Sequence, residues 1–209
     1  MNIERIINEP VPSNCYVLYN KVEGGNCVVV DPGSRDNAKL LSFLNEKNLS
    51  PIYIVLTHEH FDHIWGVNEI VGRYKIPIVC SELCSLRIKD SFDNCSVMYD
   101  DSMAVVINGS MTSVESLGGE MQFGTELFRF FPTPGHSDAS VSFMVAGCLF
   151  TGDALIKDLK TIIKLPTGSK TKQQETIATL GKLQGRGLMV YPGHGEPFAM
   201  DGYDLRKSL

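Results

Sequence analysis

Residues 57–63 include three imidazoles and a carboxylate, His58, His60, Asp62 and His63, within six positions. Neutral imidazole and carboxylate together suit zinc, iron or manganese. The apolar, β-branched run Ile52 to Leu56 comes immediately before, bounded by Pro51, and predicts a short buried strand. At a strand end, side chains two residues apart point the same way, so His58 and His60 can converge on one point. Asp62 and His63 then open a predicted helix, with Ile64, Val67, Val71 and Tyr74 at helical spacing. The first turn of that helix returns both side chains toward the strand end. The stretch therefore predicts a metal site.

The chain holds five histidines in all, and the two outside this stretch share a context. His136 closes Pro132-Thr133-Pro134-Gly135-His136, and His194 lies in Tyr191-Pro192-Gly193-His194-Gly195. Each follows a strand-like apolar run, Leu127 to Phe131 and Leu188 to Tyr191. Proline does not continue a central strand and glycine permits unusual dihedrals, so each Pro-Gly sets its histidine in a tight turn. Asp153, in Thr151-Gly152-Asp153, follows a further apolar run from Cys148 to Phe150 and is a seventh candidate ligand. A lone histidine is more often a satisfied polar residue than a ligand. Here all five fall at strand ends, three of them in one heptapeptide, which favours a ligand site along one edge of the sheets.

The segments THEHFDH, PTPGH, TGD and YPGHG, in this order and spacing, resemble the metallo-β-lactamase superfamily over nearly the whole chain. The resemblance implies a four-layer αββα sandwich, an α/β fold with the site at one edge of two facing sheets. It also implies His58, His60 and His136 on one metal and Asp62, His63 and His194 on a second, with Asp153 bridging. Within the superfamily the chain is most similar to glyoxalase II and its shorter relatives. That similarity rests on THEHFDH followed by Gly66, on TGDALI and on the closing YPGHG. It implies a binuclear hydrolase of hydroxyacyl-glutathione-like thioesters, with zinc as the expected metal and iron or manganese as alternatives. The expected mechanism is attack by a metal-bridging hydroxide on an acyl carbon, oriented by Asp62, which also takes its proton.

The elements that must position these residues are legible in outline. A length of 209 residues with 43% apolar content predicts one compact domain, 1–209. Strands are predicted at Ile3 to Ile7, Cys15 to Tyr19 and Cys27 to Val30, with a turn at Gly24-Gly25. Leu40, Phe43 and Leu44 mark a helix ending near Asn48, and Ile76 to Cys80 a further strand. This alternation argues for α/β organisation. Asp31, ending the third strand, is either a turn residue or the partner that fixes a ligand histidine. Two strands are predicted to pair about Ala146-Gly147. Thr171 and Gln174 form the capping box of a helix carrying Ile177, Leu180 and Leu183.

Charge divides the second half. No basic residue lies between Lys89 and Arg129, while Asp90, Asp93, Asp100, Asp101, Glu115, Glu120 and Glu126 are acidic. Residues 90–124 thus read as a solvated surface, or as a flap over the site. Lysines then cluster at 157, 160, 164, 170 and 172. Such a run is commonly a solvated face, but it follows Asp153 directly, so Lys164 and Lys170 are candidates for binding a substrate carboxylate.

The expected partner is a small anionic molecule. A net charge of −5 and a pI near 5.5 argue against nucleic acid. No apolar run reaches the roughly 18 residues of a membrane span. The opening residues carry no basic region followed by an apolar segment, so the expected location is the cytoplasm. The six cysteines show no close Cys-x-x-Cys pair and are expected to be reduced thiols. The alternatives to the thioesterase are a mononuclear iron persulfide dioxygenase, a superfamily nuclease, an exported β-lactamase and a non-catalytic metal-binding module. Seven candidate ligands exceed the four of a closed structural zinc site.

Overall fold

The structure, a computed structural model, describes residues 1–20 and 24–209, with the backbone but not the side chain of Asp101. It divides into two compact units, Met1–Ser113 and Val114–Leu209. The fold is mixed α/β with two six-stranded sheets, one in each unit.

The first unit builds its sheet in chain order from β1 (Asn2–Ile7), β2 (Asn14–Tyr19), β3 (Gly25–Val30), β4 (Leu49–Val55), β5 (Ile78–Cys80) and β6 (Met111–Ser113). The first three strands are antiparallel; β3 through β6 are parallel. Parallel neighbours need crossovers, supplied by α1 (Ala38–Glu46), by α2 (Phe61–Ile64) with α3 (Val67–Tyr74), and by α4 (Glu82–Arg87) with α5 (Ser96–Tyr99). β2, β5 and the Cys27–Val30 part of β3 are fully buried, which is why their sequences read as continuous apolar runs. Parallel pairing of Val30 with Val55 also brings the ends of β3 and β4 to the same sheet edge.

Two expectations need correction here. β4 does not stop at Pro51 but runs through it; Pro51 pairs with Cys27 and Tyr53 with Val28, leaving Ile52 as a bulge that accommodates the missing N–H. The single helix expected to open at Asp62 and His63 is two. The chain bends at Trp65–Gly66, where Gly66 N donates to Pro32 O (2.8 Å) and Asn37 Nδ2 donates to Gly66 O (3.1 Å). A Cβ on Gly66 would fall 2.3 Å from the Asn37 side chain, so glycine allows this approach. The buried face of α3 is accordingly Val67 and Ile70, with Val71 and Tyr74 only half-buried.

The second unit orders its strands β12 (Phe198–Ala199), β11 (Met189–Pro192), β10 (Cys148–Gly152), β9 (Val141–Val145), β8 (Glu126–Pro132) and β7 (Glu120–Phe123). β7 to β10 form an antiparallel meander and β10 pairs parallel with β11, joined through α6 (Lys170–Gly181). Ile177 and Leu180 of α6 pack with Leu149, Val190 and Phe198. Each buried side chain of this size contributes about 2 kcal/mol. Other positions carry an aromatic row of register partners, Phe143, Phe150 and Tyr191, with ring centroids 4.6 and 4.9 Å apart. The cap of α6 is Ser169, whose hydroxyl accepts from Lys172 N, and not Thr171. Ser169 N is drawn to Gly135 O (2.8 Å), and this tertiary bond starts the helix two residues earlier.

Asp90, Asp93, Asp100, Glu115 and Glu120 are exposed, as a solvated surface requires; the side chain of Asp101 lies outside the described residues. In the first unit this segment is tied down: Phe61 N donates to Asn94 O (3.0 Å), Asn94 Nδ2 to Val105 O (2.7 Å) and Trp65 Nε1 to Met103 O (3.0 Å). All six cysteines are free, and five are buried. Burial pushes the Cys27 thiol up to about 12 and Cys95 up to about 11. Among the described residues no helix is long and apolar enough to cross a membrane.

Candidate metal centre

In the first unit, His58 and His60 follow the end of β4, and His60, in extended conformation (φ −63°, ψ 144°), is the N-cap residue of α2. Asp62 and His63 occupy its first turn. His58, His60 and His63 are 2% exposed or less, which no isolated imidazole tolerates without polar partners. The His58 ring lies 4.8 Å from that of His60 and 4.3 Å from that of His63, centroid to centroid. Ligand atoms of His58 and His60, of His58 and His63, and of Asp62 and His63 approach within 4.8 Å.

Asp31 organises this half. Its Oδ1 accepts from Thr57 N (2.8 Å), and its Oδ2 accepts from Thr57 Oγ1 (2.7 Å) and lies 3.1 Å from His63 Nδ1. A carboxylate only accepts, so His63 carries its proton on Nδ1. The single hydroxyl hydrogen of Thr57 goes to Asp31, so Thr57 Oγ1 can only accept from His58 Nδ1, 3.0 Å away. His58 is therefore also protonated on Nδ1. One buried carboxylate thus leaves the Nε2 lone pairs of two histidines for a metal. Of the two sequence readings of Asp31, the structure supports the orienting partner.

Three supports were invisible in sequence. Asn8 donates to Ser13 Oγ (2.8 Å) and to Asp31 O (3.1 Å), and Ser13 Oγ donates to Asp62 O. Gly33 lets the Asp62 backbone pass, since a Cβ there would fall 1.6 Å from Asp62 O. Glu59, alternating away from the flanking histidines and fully buried, pairs with Arg87 Nη1 of α4 at 3.1 Å. The signal that could have found Glu59 is its place between two histidines that share a direction; nothing local points to Arg87.

The second unit assembles the other three candidates. Gly152 pairs with Pro192 across parallel β10 and β11, and Gly193 N donates to Gly152 O (2.8 Å), so Asp153 and His194 leave adjacent strand ends together. His136 leaves the turn after β8, and its Nδ1 donates to Ile162 O (2.7 Å), which again leaves the lone pair on Nε2. His136 Nε2 and His194 Nε2 lie 3.5 and 3.4 Å from the same Asp153 Oδ2. In the first unit His63 Nε2 lies 3.6 Å from Asp62 Oδ2. A direct N–H···O bond would be about 2.9 Å. Two donors about 2.1 Å from one tetrahedral ion are instead about 3.4 Å apart. The donor set and its spacings therefore fit divalent metal. Lys164 and Lys170 are exposed; Lys164 lies two residues past Ile162, and Lys170 is the first residue of α6.

The profile of the Metallo-beta-lactamase superfamily matches residues 8–194, and the chain belongs to that superfamily. It is 31% identical to a probable metallo-hydrolase of Streptococcus pyogenes, over 93% of this chain and 84% of that one. It is 30% identical to a hydroxyacylglutathione hydrolase of Serratia proteamaculans, over 72% of this chain but only 51% of that longer protein. Among solved structures, the BLEG-1 B3 metallo-beta-lactamase superposes with a TM-score of 0.84 at 29% identity, covering 95% of this chain and 94% of that one.

Proposed function

We propose that this member of the metallo-hydrolase superfamily is a binuclear thioesterase acting on hydroxyacyl-glutathione-like substrates. The observation that carries the metal part is the set of carboxylate–imidazole separations of 3.4–3.6 Å in both units. His58, His60 and His136 would hold one ion, Asp62, His63 and His194 the other, and Asp153 both. Two divalent ions, zinc first, supply an acidified water and a Lewis acid for the substrate carbonyl. Asp62 orients the attacking water and accepts its proton. The acyl carbon gains the oxygen, the C–S bond breaks, and the departing thiolate takes the proton from Asp62 and leaves as the thiol. Asp31 and Ile162 O hold the histidine tautomers throughout. The thioester choice is supported by similarity to a hydroxyacylglutathione hydrolase, of which the chain spans about half.

The test begins with elemental analysis of protein purified without chelator, followed by thiol release from lactoyl-glutathione and a panel of acyl thioesters. About two metals per chain and metal-dependent thiol release are expected. One iron per chain with oxygen uptake on a persulfide would overturn the reading in favour of a dioxygenase. The substrate is further proposed to be a small anion met by Lys164 and Lys170. Lys164→Ala and Lys170→Ala should then raise KM about threefold to tenfold with kcat unchanged, as lost uniform binding does. An unchanged KM in both would remove the lysines from the site.

A further inference from the structure

Helix α6 touches two of the three ligand-bearing loops of the second unit, those of His136 and Asp153, through one buried side chain. Gln173, 2% exposed, donates from Nε2 to Ala154 O (2.8 Å) and to Thr161 Oγ1 (3.1 Å). Thr161 Oγ1 then donates its only hydrogen to Asp153 O (3.2 Å). The residue after Thr161 is Ile162, whose carbonyl holds His136 Nδ1 at 2.7 Å. On the other side Gln173 sits against Gly135, the residue before His136. Gly135 has φ +150°, and a Cβ there would lie 2.3 Å from Gln173 Oε1 and 2.6 Å from its Cα. Neighbouring α6 groups grip the same turn, Ser169 N on Gly135 O (2.8 Å) and Thr176 Oγ1 on Pro134 O (2.6 Å).

The polarity of this chain is fixed. Turning the amide over would set Gln173 Oε1 against the Ala154 carbonyl, two acceptors facing each other. In the orientation that satisfies Nε2, Oε1 is buried without a hydrogen-bond partner. That arrangement is unfavourable for stability alone, and an apolar side chain of equal length would fill the space without it. The amide is explained by what its two hydrogens hold: the backbone that follows the Asp153 side chain, at Ala154 O, and Thr161, which passes the bond to Asp153 O and precedes the irregular segment whose Ile162 carbonyl orients His136.

We infer that Gln173 is a positioning residue for the metal ligands His136 and Asp153, acting through Thr161. The inference rests on the metal-centre reading above. Its test is zinc titration of the metal-free full chain in competition with a chromophoric chelator, for wild type, Gln173→Met, Thr161→Val and the double variant. Gln173→Met keeps length and volume but removes both donors; Thr161→Val interrupts the same chain one bond further on.

Each single variant should bind zinc about tenfold more weakly, the loss expected of outer partners of a metal site. The double variant should be little worse than either single, because both break one chain. Cobalt-loaded Gln173→Met should show a changed visible d–d spectrum. A purely packing role would move the urea midpoint of the metal-free protein and leave affinity and spectrum alone. Wild-type zinc affinity in both single variants would overturn the inference while leaving the metal centre standing. A wild-type chain that binds no zinc would instead defeat the reading on which it rests.

Discussion

Asp31→Ala should be the most damaging single change outside the ligands themselves. Three buried donors, Thr57 N–H, Thr57 O–H and His63 Nδ1–H, lose their acceptor at once. A buried donor left unsatisfied costs about 1–3 kcal/mol. The hydroxyl can rotate, so a total near 4 kcal/mol is expected, a large share of the 5–15 kcal/mol typical of a whole domain. Urea unfolding of the metal-free protein measures it. Asp31→Asn separates stability from metal binding. Whichever way its amide is turned, the NH2 group faces an N–H donor, either Thr57 N or His63 Nδ1. The second clash is relieved only if His63 moves its proton to Nε2, which withdraws the lone pair a metal needs. Asp31→Asn should therefore recover part of the stability and still bind zinc tenfold to a hundredfold more weakly. Zinc affinity equal to wild type in Asp31→Asn would show that this carboxylate does not set the tautomers.

That same residue marks where sequence reading stopped. The candidate ligands were legible because they cluster just past apolar strands, or in the helix turn that follows one, and these periods make the direction of side chains local information. The role of Asp31 depends on β3 pairing parallel with β4 in the register that sets Val30 beside Val55, and nothing within residues 25–57 states that register. The single helix expected from Asp62 to Tyr74 failed for a related reason. Apolar residues continue at helical spacing across Gly66, while the break is made by Asn37 and Pro32, about thirty positions earlier. At α6 the local capping box at Thr171 lost to Ser169, whose N–H is claimed by Gly135. Short-range patterns gave the elements; the departures all trace to hydrogen bonds between distant segments. Nothing in the sequence singles out Gln173, because its partners lie 12 and 19 residues before it.

Asp62→Ala and His60→Ala should abolish hydrolysis for different reasons, and metal content tells them apart. His60 contributes only an imidazole, with its neighbour Glu59 turned away to Arg87. Its loss should lower the metal content and, with it, kcat. Asp62 lies in the first turn of α2 with its carboxylate 3.6 Å from His63 Nε2, so it is placed to be both a ligand and the group that takes the proton from water. Loss of a general base costs about 10²–10⁴-fold. Asp62→Asn keeps the shape of the side chain and an oxygen donor but is no longer basic. If it retains two metals while kcat falls a thousandfold at unchanged KM, the proton-accepting role holds. If metal and activity fall together, Asp62 acts as a ligand alone. Full thioester turnover in either alanine variant would remove the metal centre from the chemistry, because water then finds activation without the residues that should hold the ions. The chelated wild type is the matching control: its activity should vanish and return with zinc, as the ligand loop keeps its fold through Asp31, Asn8 and Ser13 rather than through the metal.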